Sequence, residues 1–463
     1  MSDSNEKIIV RFAPSPTGFF HVGSLRTALF NYLFAKQQRG TYILRIEDTD
    51  KERSKKEYED DILACLKWLG ITHDAFYRQS EHAEEHKRLL KKLVDEGKAY
   101  VSKESEVAQE TISTKADMTN RRESVIRFKN PNKVVIWNDM ILGPISVDTT
   151  DLGDFVIAKD FDTPLYNFAV VSDDTAMDVT HVIRGQDHIS NTPRQVLIYE
   201  ALGAQVPAFG HIPLILAEDK AKLSKRKHGL SVAVRTYQDE GYLPEALLNF
   251  MALVGWNPGT EEEIFTLKEL IDRFSIARVQ KSSGVFNMTK LRWVNKEHIK
   301  KMSLDEQCAK ITEFLDENTK QLADREHAIF DRIVPHILER IEIFSDVTKL
   351  CEQGELAFYF QAPTYLAEKL SFKGTVLSEE IKTHLIRIKE ILENLSELEC
   401  MDIEMLKKAI SAYTDTLPSR GNALHPFRMS LSGRDKSPDP FTITSVIGKT
   451  EVQERLQRAI DML

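Results

Sequence analysis

The chain has 463 residues, 62 Lys plus Arg against 71 Asp plus Glu, a formal net charge of -9, and 42% hydrophobic and 29% charged residues. That mixture belongs to a globular protein of several domains and excludes a disordered chain, a collagen and a small disulfide scaffold. It also excludes coating nucleic acid by bulk charge, so any such contact must come from local basic patches.

The first residues, MSDSNEKIIVRF, carry neither the apolar core of a signal peptide nor the Arg/Ser pattern of a transit peptide. Together with the lack of any apolar run of about 18 residues, this predicts a cytoplasmic protein with no membrane partner. Residues 8–12 read as a short apolar strand and 13–20 as a Pro/Gly-rich loop. Residues 24–38 place Leu25, Ala28, Leu29, Tyr32, Leu33 and Ala35 on one broad helical face, with Gly40 at the expected C-cap. Residues 41–46 form a second strand ending in the acidic turn Glu47-Asp48-Thr49-Asp50. Strand, loop, helix and strand make a βαβ unit, hence a parallel sheet.

From about 103 to 157 the pattern is irregular, with β-like pieces at 124–128 and 133–137, as in an insertion between two halves of a sheet. The β/α signal returns at 169–171, 181–184 and 212–216. Beyond Leu243 the pattern is mostly helical, and 306–346, 384–398 and 401–413 are amphipathic. A boundary near 305 separates the α/β body from an all-α C-terminal region. Cys65, Cys308, Cys351 and Cys400 are far apart, which fits a reducing compartment and no zinc site of the usual spacing.

Two segments carry chemistry. In Arg11-Phe-Ala-Pro-Ser-Pro-Thr-Gly-Phe-Phe-His-Val-Gly-Ser a strand enters a rigid loop and a helix begins at His-x-Gly. A helix N-terminus presents free amides to an anion, Gly23 allows close backbone approach, and His21 could donate to a phosphate. The plainer reading is a loop that only turns the chain. Between Lys220 and Tyr237 lie six basic residues and no acid. Such a loop suits a polyphosphate whose charge shifts in a transition state, although many charge runs are simply solvated.

Together, His21-Val22-Gly23-Ser24 and Lys222-Leu223-Ser224-Lys225-Arg226 resemble the HIGH and KMSKS signatures of class I aminoacyl-tRNA synthetases. The strings RFAPSPTGFFHVGSLRTALFNYL, RIEDTD, TPLYNFAVV, THVIRGQDHISNTPRQ and GYLPEALLNFMALVGWNPGTEEEIF are similar to the glutamyl-tRNA synthetase family. The resemblance runs nearly end to end, strongest to about residue 300.

It implies a Rossmann-type doubly wound parallel sheet with an α+β insertion, followed by an all-α region. The expected domains are a catalytic half at 1–77, an acceptor-stem-binding insertion at 78–165, the second catalytic half at 166–220, the KMSKS loop and helical stem-contact region at 221–305, and an anticodon-binding domain at 306–463. It further implies joining L-glutamate to ATP, with Mg2+ travelling with the ATP, and transfer of glutamate to the 3′-terminal adenosine of tRNA(Glu). The implied catalytic residues are His21, Lys222 and Lys225. ATP would meet Pro14, Thr17, Gly18, His21, Gly23, Ser24, Lys222, Ser224 and Lys225.

Glutamate would meet Arg11, Ala13, Ser15, Glu47, Tyr166, Val170 and Arg184. Its side-chain carboxylate wants a guanidinium that can bind through two parallel hydrogen bonds, and its α-ammonium wants an anion. Arg11 and Arg184 match the first need and Glu47 the second. The family often holds zinc in its insertion, but residues 99–127 contain no cysteine. No zinc is therefore expected, and the insertion is expected to be held by apolar packing alone.

For tRNA, residues 273–301 hold eight basic residues against the single acid Glu297. A second patch has Arg420, Arg428, Arg434 and Lys436 beside His425 and Phe427, side chains on which splayed bases stack. A monomer is the family norm. The competing readings are a glutaminyl enzyme, an enzyme charging tRNA(Gln) as well, and a nucleotidyltransferase acting on a small metabolite. Arg184 speaks against the first, since an amide would be better served by a neutral partner, and the basic stretch and helical tail speak against the last.

Overall fold

The computed structural model describes residues 7–103, 124–221, 223, 232–372 and 378–463. They form two compact units, 1–298 and 299–463.

The first unit is built on a five-stranded parallel sheet of order β11-β10-β1-β2-β3. Its strands are β1 (Ile9–Phe12), β2 (Thr41–Ile46), β3 (Ala75–Arg78), β10 (His181–Gly185) and β11 (Ala208–Ile212). The helices that cross between or flank them are α1 (Val22–Gln37), α2 (Lys56–Trp68), α3 (Ala83–Asp95), α4 (Tyr166–Ala176) and α5 (Thr192–Leu202). The expected βαβ start is therefore present. The strand expected at 169–171 is not: Ala169, Val170 and Val171 are buried on α4. An apolar run buried on all sides looks alike in strand and helix, and only its length separates them.

Gly40 serves a purpose other than the expected cap. The left-handed residue after α1 is Arg39, with φ 53°. Gly40 is required because a Cβ there would lie 2.6 Å from the Ile8 carbonyl oxygen, where the turn runs back against β1.

Strand order reverses between β1 and β10. These two strands pair at Val10 and His181 and then part toward their carboxyl ends. Asn31 of α1 enters where they part, donating from Nδ2 to the Ile183 carbonyl at 2.9 Å and to the Thr27 carbonyl at 2.8 Å. Its Oδ1 has no partner among the described residues, which offsets part of the gain. Asn31→Ala should therefore lower stability by about 1–2 kcal/mol, read as a shifted urea midpoint; an unshifted midpoint would show that the opening needs no such brace.

The insertion between α3 and α4 has a four-stranded sheet of order β4-β5-β8-β9 and a ribbon β6-β7. The strands are β4 (Ala99–Lys103), β5 (Ser124–Phe128), β6 (Val134–Asp139), β7 (Gly143–Asp148), β8 (Phe155–Asp160) and β9 (Thr163–Pro164). Phe128, Val135, Trp137, Phe155 and Ile157 join the core beneath α3 and α5. Apolar packing is nonetheless only part of what holds it. Lys133 pairs with Glu200 at 2.6 Å, Asn130 bonds the Thr149 carbonyl at 2.6 Å, and the Met140 amide donates to the Phe209 carbonyl at 2.8 Å. The ribbon thus docks its turn on the outer edge of the parallel sheet. A ribbon this narrow has too little apolar area to fix its own position.

The second unit is helical throughout its described residues. Capping boxes at Ser303/Glu306 and Ser396/Glu399 start two of its helices. Arg455 is buried and donates to the carbonyls of Phe358 and Leu431, both at 2.6 Å, closing the core around Leu456, Phe427 and Leu385.

Candidate active site

At the carboxyl ends of β1, β2, β10 and β11, where strand order reverses, lies a cavity of about 610 Å³. Such a crevice is where open α/β sheets bind their ligands. Its lining includes Arg11, Ala13, Pro14, Ser15, Thr17, Gly18, His21, Gly23, Ser24, Glu47, Tyr166 and Arg184. Twelve residues proposed from sequence thus come together.

The floor is the 13–21 loop, and it is held firmly. The Phe20 amide donates to Asp61 at 2.7 Å, the Glu47 amide to the Pro14 carbonyl at 3.0 Å, and the Lys55 amide to the Pro16 carbonyl at 3.0 Å. His21 is the N-cap of α1, its Nδ1 accepting from the Ser24 amide at 3.2 Å. The ring therefore first orients the helix start, where the Val22 and Gly23 amides remain without intrahelical acceptors. Gly23 leaves that start open, because a Cβ would press on the His21 ring at 3.0 Å.

Val170 does not reach the cavity; it is 1% exposed within α4. Lys222, Ser224 and Lys225 lie outside the described residues. Leu223 between them lines the cavity, its amide on the Ile215 carbonyl at 3.1 Å.

Beneath the lining runs a buried ionic network. Asp174 accepts from Arg11 Nε at 3.1 Å, from Arg45 Nη1 at 2.6 Å and from the Tyr199 hydroxyl at 3.2 Å. Arg45, fully buried, also reaches Glu47 at 3.0 Å. Asp173 takes His86 and Gln79, both at 2.6 Å. Burial opposes ionisation of Asp174, but Arg11 and Arg45 hold its carboxyl below the usual range. Burial pushes Glu47 up, and Arg45 and Arg11 counter it only in part. Glu47 is therefore not the solvated acid of an exposed turn.

Arg184 stands apart from this network. It is 5% exposed, and its donors go to neutral acceptors: Nε to His211 at 3.2 Å, Nη1 to Gln195 at 2.7 Å and Nη2 to Thr192 at 2.8 Å. No carboxylate forms an ion pair with it among the described residues. Its guanidinium also lies 5.4 Å from the Phe209 ring. Burial lowers its pKa. A buried cation without a counter-ion is costly unless a ligand supplies the anion. Sequence reasoning found Arg184 but missed Arg45, Asp174, Asp139 and His211. The only signal for them was the acidic pair in VVSDD and a His at a strand end.

Both expected RNA patches are altered by folding. Arg273 and Lys290 pair with Glu262 and Glu263, and Arg278 donates to the Pro258 carbonyl. An acidic run outside the counted window neutralises part of it, leaving Lys281 and Lys301 among the exposed cations. In the second patch Phe427 is fully buried, so it cannot stack on a base, and Arg420 pairs with Asp415 at 2.7 Å.

A crevice at the strand reversal, a helix that starts on its floor and an inserted β domain fit the catalytic body of a class I tRNA synthetase. The family model for class I tRNA synthetases (E and Q), catalytic domain, matches residues 7–116 and 105–293, and an anticodon binding domain model matches 306–460. Glutamate–tRNA ligases from Carboxydothermus hydrogenoformans and Aquifex aeolicus are each 38% identical, over 96% and 99% of this chain and 98% and 99% of theirs. A crystal structure of a glutamate tRNA ligase from Elizabethkingia meningosepticum, in complex with its amino acid, superimposes with a TM-score of 0.81 at 31% identity, covering 98% of this chain and 99% of that one. The chain belongs to the glutamate–tRNA ligase family.

Proposed function

We infer that the protein activates L-glutamate with ATP to glutamyl-adenylate, releasing pyrophosphate, and then moves glutamate to the 3′-terminal adenosine of tRNA(Glu), releasing AMP. The observation that carries the choice of amino acid is Arg184, a buried guanidinium lining the cavity with no carboxylate in ion-pair reach among the described residues. The glutamate side chain supplies that carboxylate; glutamine does not. A glutaminyl enzyme is not favoured, and the relatives give no support to charging tRNA(Gln).

Activation needs positioning and charge stabilisation more than covalent help. Glu47 faces the α-ammonium, sharing Arg45 so that it is only half neutralised. Ser15 and the Ala13 backbone line the same side, and Arg11, neutralised by Asp174, adds donors rather than net charge. The Gly23 amide and His21 hold phosphate oxygens, and Lys222 and Lys225 stabilise the departing pyrophosphate. Mg2+ bound to the ATP phosphates would supply further neutralisation of their charge. The cysteine-free insertion keeps the expectation of no zinc. We assign acceptor-stem contact to 78–165, stem contact to 221–305 and anticodon reading to 306–463.

No helix among the described residues is long and apolar enough to cross a membrane. ATP and tRNA as substrates point to the cytoplasm, with the chain acting as a monomer. ATP–pyrophosphate exchange in the presence of total tRNA should proceed with glutamate and not with glutamine; better exchange with glutamine would overturn the assignment. Lys225→Ala should lower turnover by about a hundred-fold or more with an unchanged circular dichroism spectrum. An unchanged rate would remove Lys225 from the mechanism.

A further inference from the structure

The partners of Arg184 form a chain that begins in the insertion. Asp139 ends β6, and its Oδ1 accepts from the amides of Ile141 and Leu142, both at 3.0 Å, and of His211 at 3.1 Å. Its Oδ2 lies 2.6 Å from His211 Nδ1. His211 Nε2 lies 3.2 Å from Arg184 Nε and 3.1 Å from Thr192 Oγ1. The side chains of His211 and Asp139 are both wholly buried. Phe209, two residues earlier on the same face of β11, stacks on His211 with the ring planes 10° apart. Its ring also faces the Arg184 guanidinium.

Hydrogen-bond chemistry fixes the proton. A guanidinium only donates, so His211 Nε2 must accept from Arg184. In a neutral imidazole the other nitrogen then carries the hydrogen, and Asp139 Oδ2 is placed to receive it. Burial lowers the His211 pKa and Arg184 lowers it further, outweighing the hydrogen bond to Asp139, which raises it; the net direction favours the neutral ring. The alternative tautomer would set Nε2–H against Nε–H at a distance where only one hydrogen fits.

We propose that Asp139 and His211 are positioning residues for amino-acid selection. Asp139, carried by the inserted ribbon, fixes the Nδ1–H tautomer of His211, and the Nε2 lone pair holds the Arg184 fork so that its remaining Nη1 and Nη2 hydrogens can meet a carboxylate. The insertion then shapes the amino-acid site as well as contacting tRNA. The proposal rests on Arg184 as the partner of the glutamate side chain. A buried guanidinium with long, freely rotating bonds needs such a fixed acceptor, because two parallel hydrogen bonds to one carboxylate form over a narrow range of angles.

Asp139→Asn is the sharpest test. Its Oδ1 keeps the three backbone amides, so the turn is preserved, while Nδ2 replaces Oδ2 and presents hydrogens to His211 Nδ1. The imidazole must then turn to its Nε2–H form and push on Arg184. KM for glutamate should rise by about ten- to a hundred-fold, with KM for ATP unchanged and the preference for glutamate over glutamine reduced. The 15N shifts of His211 should read Nδ1–H in the unaltered protein and Nε2–H in the variant.

His211→Asn provides a second route. Its amide can still donate to Asp139, but no atom reaches Arg184 Nε, so the same rise in glutamate KM is expected whether or not Asp139→Asn folds. An Nε2–H ring in the unaltered protein would overturn the proposal. So would a switched tautomer with unchanged glutamate KM, or an equal rise in the KM for ATP. Arg184→Lys separates the two levels. If it leaves glutamate KM unchanged, the reading of Arg184 itself fails. If it raises KM while Asp139→Asn and His211→Asn do not, the positioning alone fails.

Discussion

Arg184→Gln is expected to lower kcat/KM for glutamate by about a thousand-fold, roughly 4 kcal/mol of transition-state stabilisation, while leaving the protein as stable as before or more so. The two halves of this result have one cause. In the free protein Arg184 is buried among Gln195, Thr192, His211 and the Phe209 ring, with no ion-paired carboxylate among the described residues. A desolvated cation held only by neutral acceptors is a cost to folding, and a neutral side chain relieves it. With glutamate bound as proposed, the same buried cation would gain a carboxylate partner away from bulk water, where such a pairing is stronger. Sites under such tension commonly gain stability and lose function together when relieved. Steady-state charging with glutamate and with glutamine, beside thermal unfolding, checks both. The glutamate preference should shrink in the variant. A loss of activity below about ten-fold, or a marked fall in melting temperature, would mean that Arg184 is a structural residue.

This site was only partly legible in the sequence, and the reason is physical. Motif residues such as His21, Gly23, Glu47 and Arg184 sit where backbone geometry and ligand chemistry restrict the side chain, so they leave a readable string. Val170 shared such a string yet turned inward, because α4 buries that side of its first turns. Asp139 and His211 lie 72 residues apart and meet only because the ribbon turn docks on β11; a His at a strand end does not by itself point to Asp139. The fold was more open to reading. The 41–46 strand and the helix before it followed from apolar spacing, while the buried helix at 166–176 looked like a strand because both of its faces are covered. The basic stretch at 273–301 misled in a third way. Counting charge along the chain cannot see Glu262 and Glu263 folding back on Arg273 and Lys290.

Asp174→Asn should have the opposite effect on stability from Arg184→Gln, and a large one. The Asp174 side chain is 1% exposed and joins two guanidiniums, Arg11 and Arg45, of which Arg45 is fully buried. An amide of the same shape cannot neutralise them. Its oxygen can keep the bonds of Arg11 and Arg45 to Oδ1, but its nitrogen would then face Arg11 Nε, which lies 3.3 Å from Oδ2 and only donates. Breaking a buried pair at one partner typically costs about 3–5 kcal/mol, and here two cations are left with Glu47 and Asp173 to share. The sign of the pH dependence follows from the depressed carboxyl of Asp174. Its contribution is fully present above the unfolded value of about 4, and is lost as pH falls through the lower folded value. Glu47, pushed up by burial, works the other way and softens that loss. Urea midpoints should therefore differ widely at neutral pH and converge below about pH 4, with the unaltered protein descending toward the variant. A difference below about 1 kcal/mol at pH 7, or one that stays constant into acid, would show that the ionised Asp174 is not what holds Arg11 and Arg45 beneath the cavity.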